Sequence, residues 1–303
     1  MSYSDRRGES EDRPTAVPRR EILKGLALTA GMAMAGTLPA WNEANAADEP
    51  KSQTAEKRKT FLAVGAHMDD AEIGAGGVLI HAARAGHRVV IVNVVSDHKS
   101  WLSTVGREQQ VRRDLIALAK KFGFEKRFLE YPYHQIDGGD LDLKRKLAEI
   151  YVELKPDVAF IHHVEDHWPD HVACGRASHD AFLFAHGLSK DIAVRRCPLI
   201  YAYDVSPAQT YHFEEDVYYD VSDVMPEYMD LLANTDSCLS GRPVDKVVDY
   251  EFRRLGETSR AIRLSGHGLL RFADCVRFGN RAGCRFALGF RTVWGERRGE
   301  KLF

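Results

Sequence analysis

The ten residues His87–Ser96 read H-R-V-V-I-V-N-V-V-S, a β-branched run that is apolar on both faces. Only a strand covered above and below, as in a parallel sheet flanked by helices, accommodates such a run. The surrounding pattern agrees. Thr60–Ala66 (T-F-L-A-V-G-A) is a second apolar run of strand length, and Gly74–Ala85 carries a helical pattern ending at Gly86. The spacing predicts a helix over Arg107–Phe122, a short strand at Arg127–Tyr131, a helix over Leu143–Leu154 stopped by Pro156, and a strand at Val158–His162. A helix is expected from His171 to about His186, then strands at Pro198–Tyr203 and Val217–Val221. Ser222 is expected to cap a helix to about Asn234, and Asp245–Leu264 reads as a further helix. Strands alternating with helices predict an α/β fold, a Rossmann-like, mostly parallel sheet with helices on both faces.

Composition narrows the function classes. A chain of 303 residues that is 44% hydrophobic has enough apolar surface for a real core and is too apolar for intrinsic disorder. With 42 basic against 44 acidic residues, nucleic-acid binding by charge is not expected. The first 46 residues read as an address: Arg19-Arg20, a mild apolar run from Gly25 to Leu38, and Ala44-Asn45-Ala46 as a cleavage site. Together these predict a twin-arginine (Tat) signal over residues 1–46 and export to the periplasm in the folded state. Residues 47–59 read as a linker and residues 60–303 as one domain, with no permanent membrane span once the signal is removed. The five cysteines include no C-x-x-C pair and read as small buried hydrophobes.

The chemistry-bearing residues fall just after predicted strand ends, where ligands bind in such sheets. The first strand runs into A-H-M-D-D-A-E-I-G-A-G-G at 66–77, placing His67, Asp69, Asp70 and Glu72 in the turn. A later strand ends in H-H-V-E-D-H-W-P-D-H at 162–171, with four of the chain's 13 histidines and three carboxylates in ten residues. A mixed imidazole–carboxylate set with one open face suits a hydrolytic Zn²⁺ site of three protein ligands plus water. Two adjacent aspartates can divide the labour, one facing the metal and the other the water. The glycines at 74–77 do not complete G-x-G-x-x-G and read instead as permitting close helix packing.

The stretch A-H-M-D-D-A-E-I-G-A-G-G resembles the A-H-P-D-D-E-x-x-x-G-G signature of the PIG-L/LmbE-like N-acetylglucosaminyl deacetylases. Pro169-Asp170-His171 is the counterpart of the family's second motif, H-P-D-H. The resemblance implies that His67, Asp70 and His171 bind one Zn²⁺ per chain and that Asp69 is the general base for the attacking water. It implies hydrolysis of an acetamide to acetate and a free amino sugar. Met68 stands at the motif proline, Ala71 at the usual glutamate, and Trp168 at the first histidine of H-P-D-H, the residue expected to stabilise the oxyanion. His167, one position away, is the first candidate to substitute for it, with His162 and His163 behind. Trp168 offers a stacking face for a sugar ring. Asp97, after the second strand, and Arg107 are candidate substrate contacts, and His134, His212 and His267 read more plainly as surface residues.

The leading expectation is an exported zinc-dependent deacetylase acting on an N-acetylated amino sugar or a glycan fragment containing one. The alternatives are a zinc amidase on a non-sugar conjugate, and a catalytically impaired carbohydrate-binding relative. Trimers and hexamers among relatives leave room for a homo-oligomer.

Overall fold

The computed structural model describes residues 58–97, 103–190, 198–205, 210–244 and 260–295, with the short strand residues 22–23 and the strand 247–252. The elements in chain order are β1 (Ile22–Leu23), β2 (Thr60–Gly65), α1 (Asp70–Arg84), β3 (Arg88–Asp97), α2 (Glu108–Lys121), β4 (Phe124–Pro132), α3 (Leu141–Leu154), β5 (Val158–His162) and α4 (Pro169–Leu183). There follow α5 (Ala185–Leu188), β6 (Leu199–Tyr203), β7 (Val217–Asp220), α6 (Met225–Ser240), β8 (Val247–Phe252), β9 (Arg260–Arg263), α7 (Gly266–Ala282) and β10 (Ala287–Trp294).

The main sheet has the order β1-β7-β10-β6-β5-β2-β3-β4. Neighbours from β6 to β4 pair in parallel, and β10 runs antiparallel to both β6 and β7. The chain starts this parallel block at β2, builds outward through β3 and β4, then returns to the other side of β2 with β5 and β6. The order therefore reverses between β2 and β5, and a crevice opens there at the carboxyl ends of both strands.

Alternation along β2 sends Phe61 and Ala63 to one face and Leu62 and Val64 to the other. The first face is covered by residues of α1, α2, α6 and α7, including Val78, Leu118, Leu231 and Cys275. The second is covered by α3 and α4 through Leu147, Tyr151, Ala177 and Phe182. This is the expected sheet with helices on both faces. The α1 glycines do the packing foreseen for them. A side chain at Gly74 would collide with the Tyr203 ring, and Cβ atoms at Gly76 and Gly77 would lie 2.7 Å from Tyr228 and 2.8 Å from Val221. The described cysteines Cys174, Cys238, Cys275 and Cys284 are free thiols.

Three readings need correction. The helix expected over Asp245–Leu264 is instead the antiparallel pair β8–β9, and the helix starts later, at Gly266. The segment V-V-D-Y-E-F alternates with period two, the strand signature, which outweighs its scattered helical spacing. α6 begins at Met225 rather than at Ser222 and runs on to Ser240, where Gly241 closes it in the left-handed conformation (φ 69°). β10, which starts inside the segment F-A-L-G-F-R and runs on to Trp294, is an additional strand. The proposed signal, most of the linker and Cys197 lie outside the described residues, the pairing of Ile22–Leu23 with β7 apart.

α7 is fixed to the sheet by a fully buried arginine. Arg271 Nη1 donates to Asp204 Oδ1 at 3.1 Å, and Nη2 donates to the carbonyls of Asp204 and Val205 at 2.6 and 2.8 Å. Removing one partner of such a pair strands a buried charge. Arg271→Met is expected to cost about 3–5 kcal/mol in equilibrium urea unfolding. A loss below about 1 kcal/mol would mean that the guanidinium is not what anchors the helix.

Candidate metal centre

β2 ends at Gly65, and the chain turns through Ala66, His67, Met68 and Asp69 before entering α1 at Asp70. Four contacts hold this turn. The His67 N–H donates to Asp70 Oδ2 at 2.6 Å, and the Asn93 amide on β3 donates to the His67 carbonyl. Lys126 on β4 donates to the Met68 carbonyl at 2.9 Å and pairs with Glu72 at 2.5 Å. Lys126 and Glu72 are buried, so the ammonium and carboxylate neutralise each other beneath the turn. Met68, at the motif's proline position, is buried against Val111, Leu115 and Leu239.

Above this turn His67, Asp70 and His171 each present one donor atom, all within 4.8 Å of one another. His67 Nδ1 lies 3.1 Å from His171 Nε2 and 3.6 Å from Asp70 Oδ2, and His171 Nε2 lies 3.4 Å from Asp70 Oδ1. Ligands bound at 2.0–2.1 Å around a tetrahedral ion stand about 3.3 Å apart, so this set fits a small divalent cation. The opposite ring nitrogens are backed by carboxylates: Asp170 Oδ2 is 3.0 Å from His67 Nε2, and Asp166 Oδ1 is 3.2 Å from His171 Nδ1. This is the carboxylate–histidine arrangement that fixes the tautomer of a metal ligand.

The electrostatics point the same way. Burial disfavours a charged His67, yet Asp70 and Asp170 overcome it and raise its pKa to about 9. Burial likewise opposes protonation of His171, and Asp70 and Asp166 raise it to about 10. Burial also favours a protonated Asp70, but His171, His162 and His67 hold it well below the ordinary carboxylate range. The carboxylates around the two imidazoles thus make the cluster favourable to positive charge. His162, beneath Asp70, has its pKa lowered to about 4 by burial, and its Nε2 accepts the Ala66 N–H at 3.0 Å.

Asp69 is buried next to this cluster with no hydrogen bond to its carboxylate among the described residues. Burial and the neighbouring Asp70 push its pKa up to about 6, against His267 and His67. On the other flank, Trp168 packs edge-on to His67 with ring centroids 6.3 Å apart and stacks with His134 at 5.7 Å. Tyr133 lies 4.8 Å from His67. The rim on that side is therefore aromatic.

The remaining predicted residues are more dispersed. His167 is exposed and its Nδ1 lies 3.2 Å from the Tyr211 hydroxyl. Arg107 donates to the carbonyls of Ser103, Cys238 and Leu239, capping the end of α6. Asp97 is the last residue of β3, and its side chain lies outside the described residues. A cavity of about 1120 Å³ is lined by His162, His163, Asp166, His167 and Arg176 among others, but not by His67, Asp69 or Asp70. Sequence reasoning passed over Lys126, Asn93, Tyr133 and Asp236, and named Asp166 and Asp170 without a role. The placement of the last two, five residues and one residue before His171, was the available signal.

A topological switch point carrying two imidazoles, a carboxylate and an adjoining buried aspartate has the make-up of an α/β metal-dependent hydrolase site. Residues 62–182 match the family model described as GlcNAc-PI de-N-acetylase, PIG-L. Over that segment the chain is similar to the PIG-L/LmbE deacetylases. Among solved structures it is similar to the N,N'-diacetylchitobiose deacetylase of Pyrococcus horikoshii, with 20% identity, 78% of this chain and 84% of that chain covered, and a TM-score of 0.61. It is similar to GalB, the 4-carboxy-2-hydroxymuconate hydratase of Pseudomonas putida, at 18% identity, 80% and 98% coverage and a TM-score of 0.61. It is also similar to a zinc-inhibited form of teicoplanin deacetylase, at 16% identity, 78% and 100% coverage and a TM-score of 0.50.

If Asp170 orients His67, Asp170→Asn should weaken metal affinity roughly 10–100-fold while circular dichroism stays unchanged. Competition against a chromogenic chelator measures this. Equal affinities would show that Asp170 only fills space.

Proposed function

We propose that this chain is an exported, zinc-dependent N-deacetylase that releases acetate from an N-acetylglucosamine-type amino sugar or a glycan fragment containing one. The observation that carries the reading is the buried His67–Asp70–His171 set with an unbonded Asp69 carboxylate beside it. One ion per chain would be held by these three side chains. When bound, it supplies Lewis acidity to the acetamide carbonyl and lowers the pKa of coordinated water.

The protein's own residues do the rest. Asp69 takes a proton from the attacking water and returns it to the departing amine. Its carboxylate is suited to both steps because no hydrogen bond among the described residues commits it elsewhere. Asp170 and Asp166 hold the ligand imidazoles in register, and Lys126 with Asn93 stiffens the turn beneath. Trp168, Tyr133 and His134 offer flat faces for a sugar ring. The P. horikoshii relative is a deacetylase of an N-acetylated disaccharide, which supports this substrate class. The hydratase neighbour has the same overall fold at an equal TM-score, so the reading rests on the residues of the site and not on the fold. The twin-arginine segment supports action in the periplasm on envelope or environmental glycans.

Two experiments test the proposal. Wild-type protein and Asp69→Asn should each carry close to one zinc by plasma mass spectrometry. Only the wild type should release acetate from N-acetylglucosamine or diacetylchitobiose, the variant losing about 10²–10⁴-fold. Failure to take up metal at any loading, or hydrolysis confined to non-sugar amides, would overturn it. Separately, replacing Arg19 and Arg20 by lysine should leave the protein in the cytoplasmic fraction. Unchanged periplasmic recovery would remove the twin-arginine route.

A further inference from the structure

His267 stands at the start of α7, more than eighty residues beyond the segment that carries the family match. Its ring is clamped from α6: Nδ1 lies 2.6 Å from Asp236 Oδ1, and its backbone N–H donates to Asp236 Oδ2 at 3.4 Å. The same Nδ1 is 3.9 Å from Asp69 Oδ2, which places the ring beside the residue that adjoins the ligand cluster. The side chain is 43% exposed, and its Nε2 takes no hydrogen-bond partner among the described residues. Asp236 is mostly covered, at 20% exposure.

Of the imidazoles nearer the motif, His163 packs edge-on against the Phe213 ring with centroids 5.3 Å apart, and four others are committed. His67 and His171 each face the ligand cluster with one nitrogen and a backing carboxylate with the other. The Nε2 of His162 is taken by the Ala66 N–H, and His167 is turned to Tyr211. Trp168, at the position of the missing histidine, carries only an indole N–H.

We propose that His267, held by Asp236, is the catalytic hydrogen-bond donor that stabilises the oxyanion of the deacetylation reaction. The inference rests on the deacetylase reading. A histidine whose Nδ1–H is given to a carboxylate donates from Nε2 only as an imidazolium, so its charge matters. The positive end of α7 disfavours a cation at this position. The hydrogen bond to Asp236 more than offsets this, with help from Asp69 against burial, and raises the pKa of His267 to about 9. The charged groups facing it are Asp236 on α6 and Asp69 and Asp70 at the start of α1. Below pH 9 the ring therefore carries a proton on Nε2.

The reaction then balances as follows. Water gives a proton to Asp69 while its oxygen bonds to the acetamide carbon. The C=O π pair moves onto oxygen, which accepts a hydrogen bond from His267 Nε2–H. The C–N bond breaks with its electron pair on nitrogen, which takes the proton from Asp69. His267 ends as it began, and Asp236 acts as its positioning residue.

The test uses the zinc-loaded mature protein, with His267→Gln, His267→Ala and Asp236→Asn. With metal content unchanged, both His267 variants should lose about 10²–10³-fold in kcat, with KM within about threefold. Wild-type kcat should fall as pH rises through about 9, where the imidazolium deprotonates. In Asp236→Asn this limb should move to lower pH, and in His267→Gln it should disappear. ¹³C-labelled histidine spectra report the His267 titration directly, independent of turnover. An active wild type with His267→Gln within threefold of it, or with its alkaline limb intact, overturns this inference and leaves the deacetylase reading standing. A zinc-loaded wild type inert on every N-acetyl sugar overturns both.

Discussion

Asp70 is the group on which the site depends. Its carboxylate is buried, accepts the His67 N–H, and lies within 3.0–3.6 Å of nitrogens on His67, His162 and His171. Isolated in such a place, a carboxylate would be neutral. Here imidazoles on three sides keep it ionised, and it in turn raises the affinity of His67 and His171 for positive charge. The arrangement is self-consistent only at a reversal of strand order. β2 supplies the turn bearing His67 and Asp70, while the adjacent β5 delivers His162 and, one loop later, His171 at the head of α4. Glycine at 65 and 175 lets these parts close up: a Cβ would lie 2.8 Å from the Asn93 amide in the first case and 2.8 Å from the His162 carbonyl in the second.

Much of this was readable from the chain, for identifiable reasons. The parallel strands announced themselves because both their faces are buried, so they carry no polar alternation to mask them. The candidate metal ligands were legible because they are local: one turn and one loop, each following a strand. The hairpin at β8–β9 was not, because a short amphipathic stretch with mixed charges satisfies two periodicities at once, and pairing partners decide between them. Lys126 was invisible for a different reason. In sequence it is one of several basic residues around β4; only the register against β3 places it under Met68 and Glu72. Arg107 shows the converse, a basic residue that looked available for ligand and is spent on carbonyls at the end of α6.

His267 and Asp236 were the hardest to see. Neither belongs to a motif, and the G-H-G context of His267 reads as a turn rather than as a site. What makes them a pair is the packing of α7 against α6 over the α1 side of the sheet. The two flanks of the metal centre consequently differ in kind. The flank built by the 162–171 loop is aromatic, through Trp168, His134 and Tyr133. The side where the C-terminal helices meet Asp69 is ionic, through His267 and Asp236.

That division has a structural cost which explains the buried arginine. A helix whose first turn must hold an imidazole within 3.9 Å of Asp69 needs its axial position set tightly, and apolar packing alone permits sliding along a sheet face. Arg271, one turn beyond His267, removes that freedom, because three of its donor contacts end on Asp204 and Val205 just past β6. Burying a guanidinium there gains little net stability over a hydrophobic residue of the same size. Its return is positional: the fork geometry accepts one placement of α7, and with it one placement of His267.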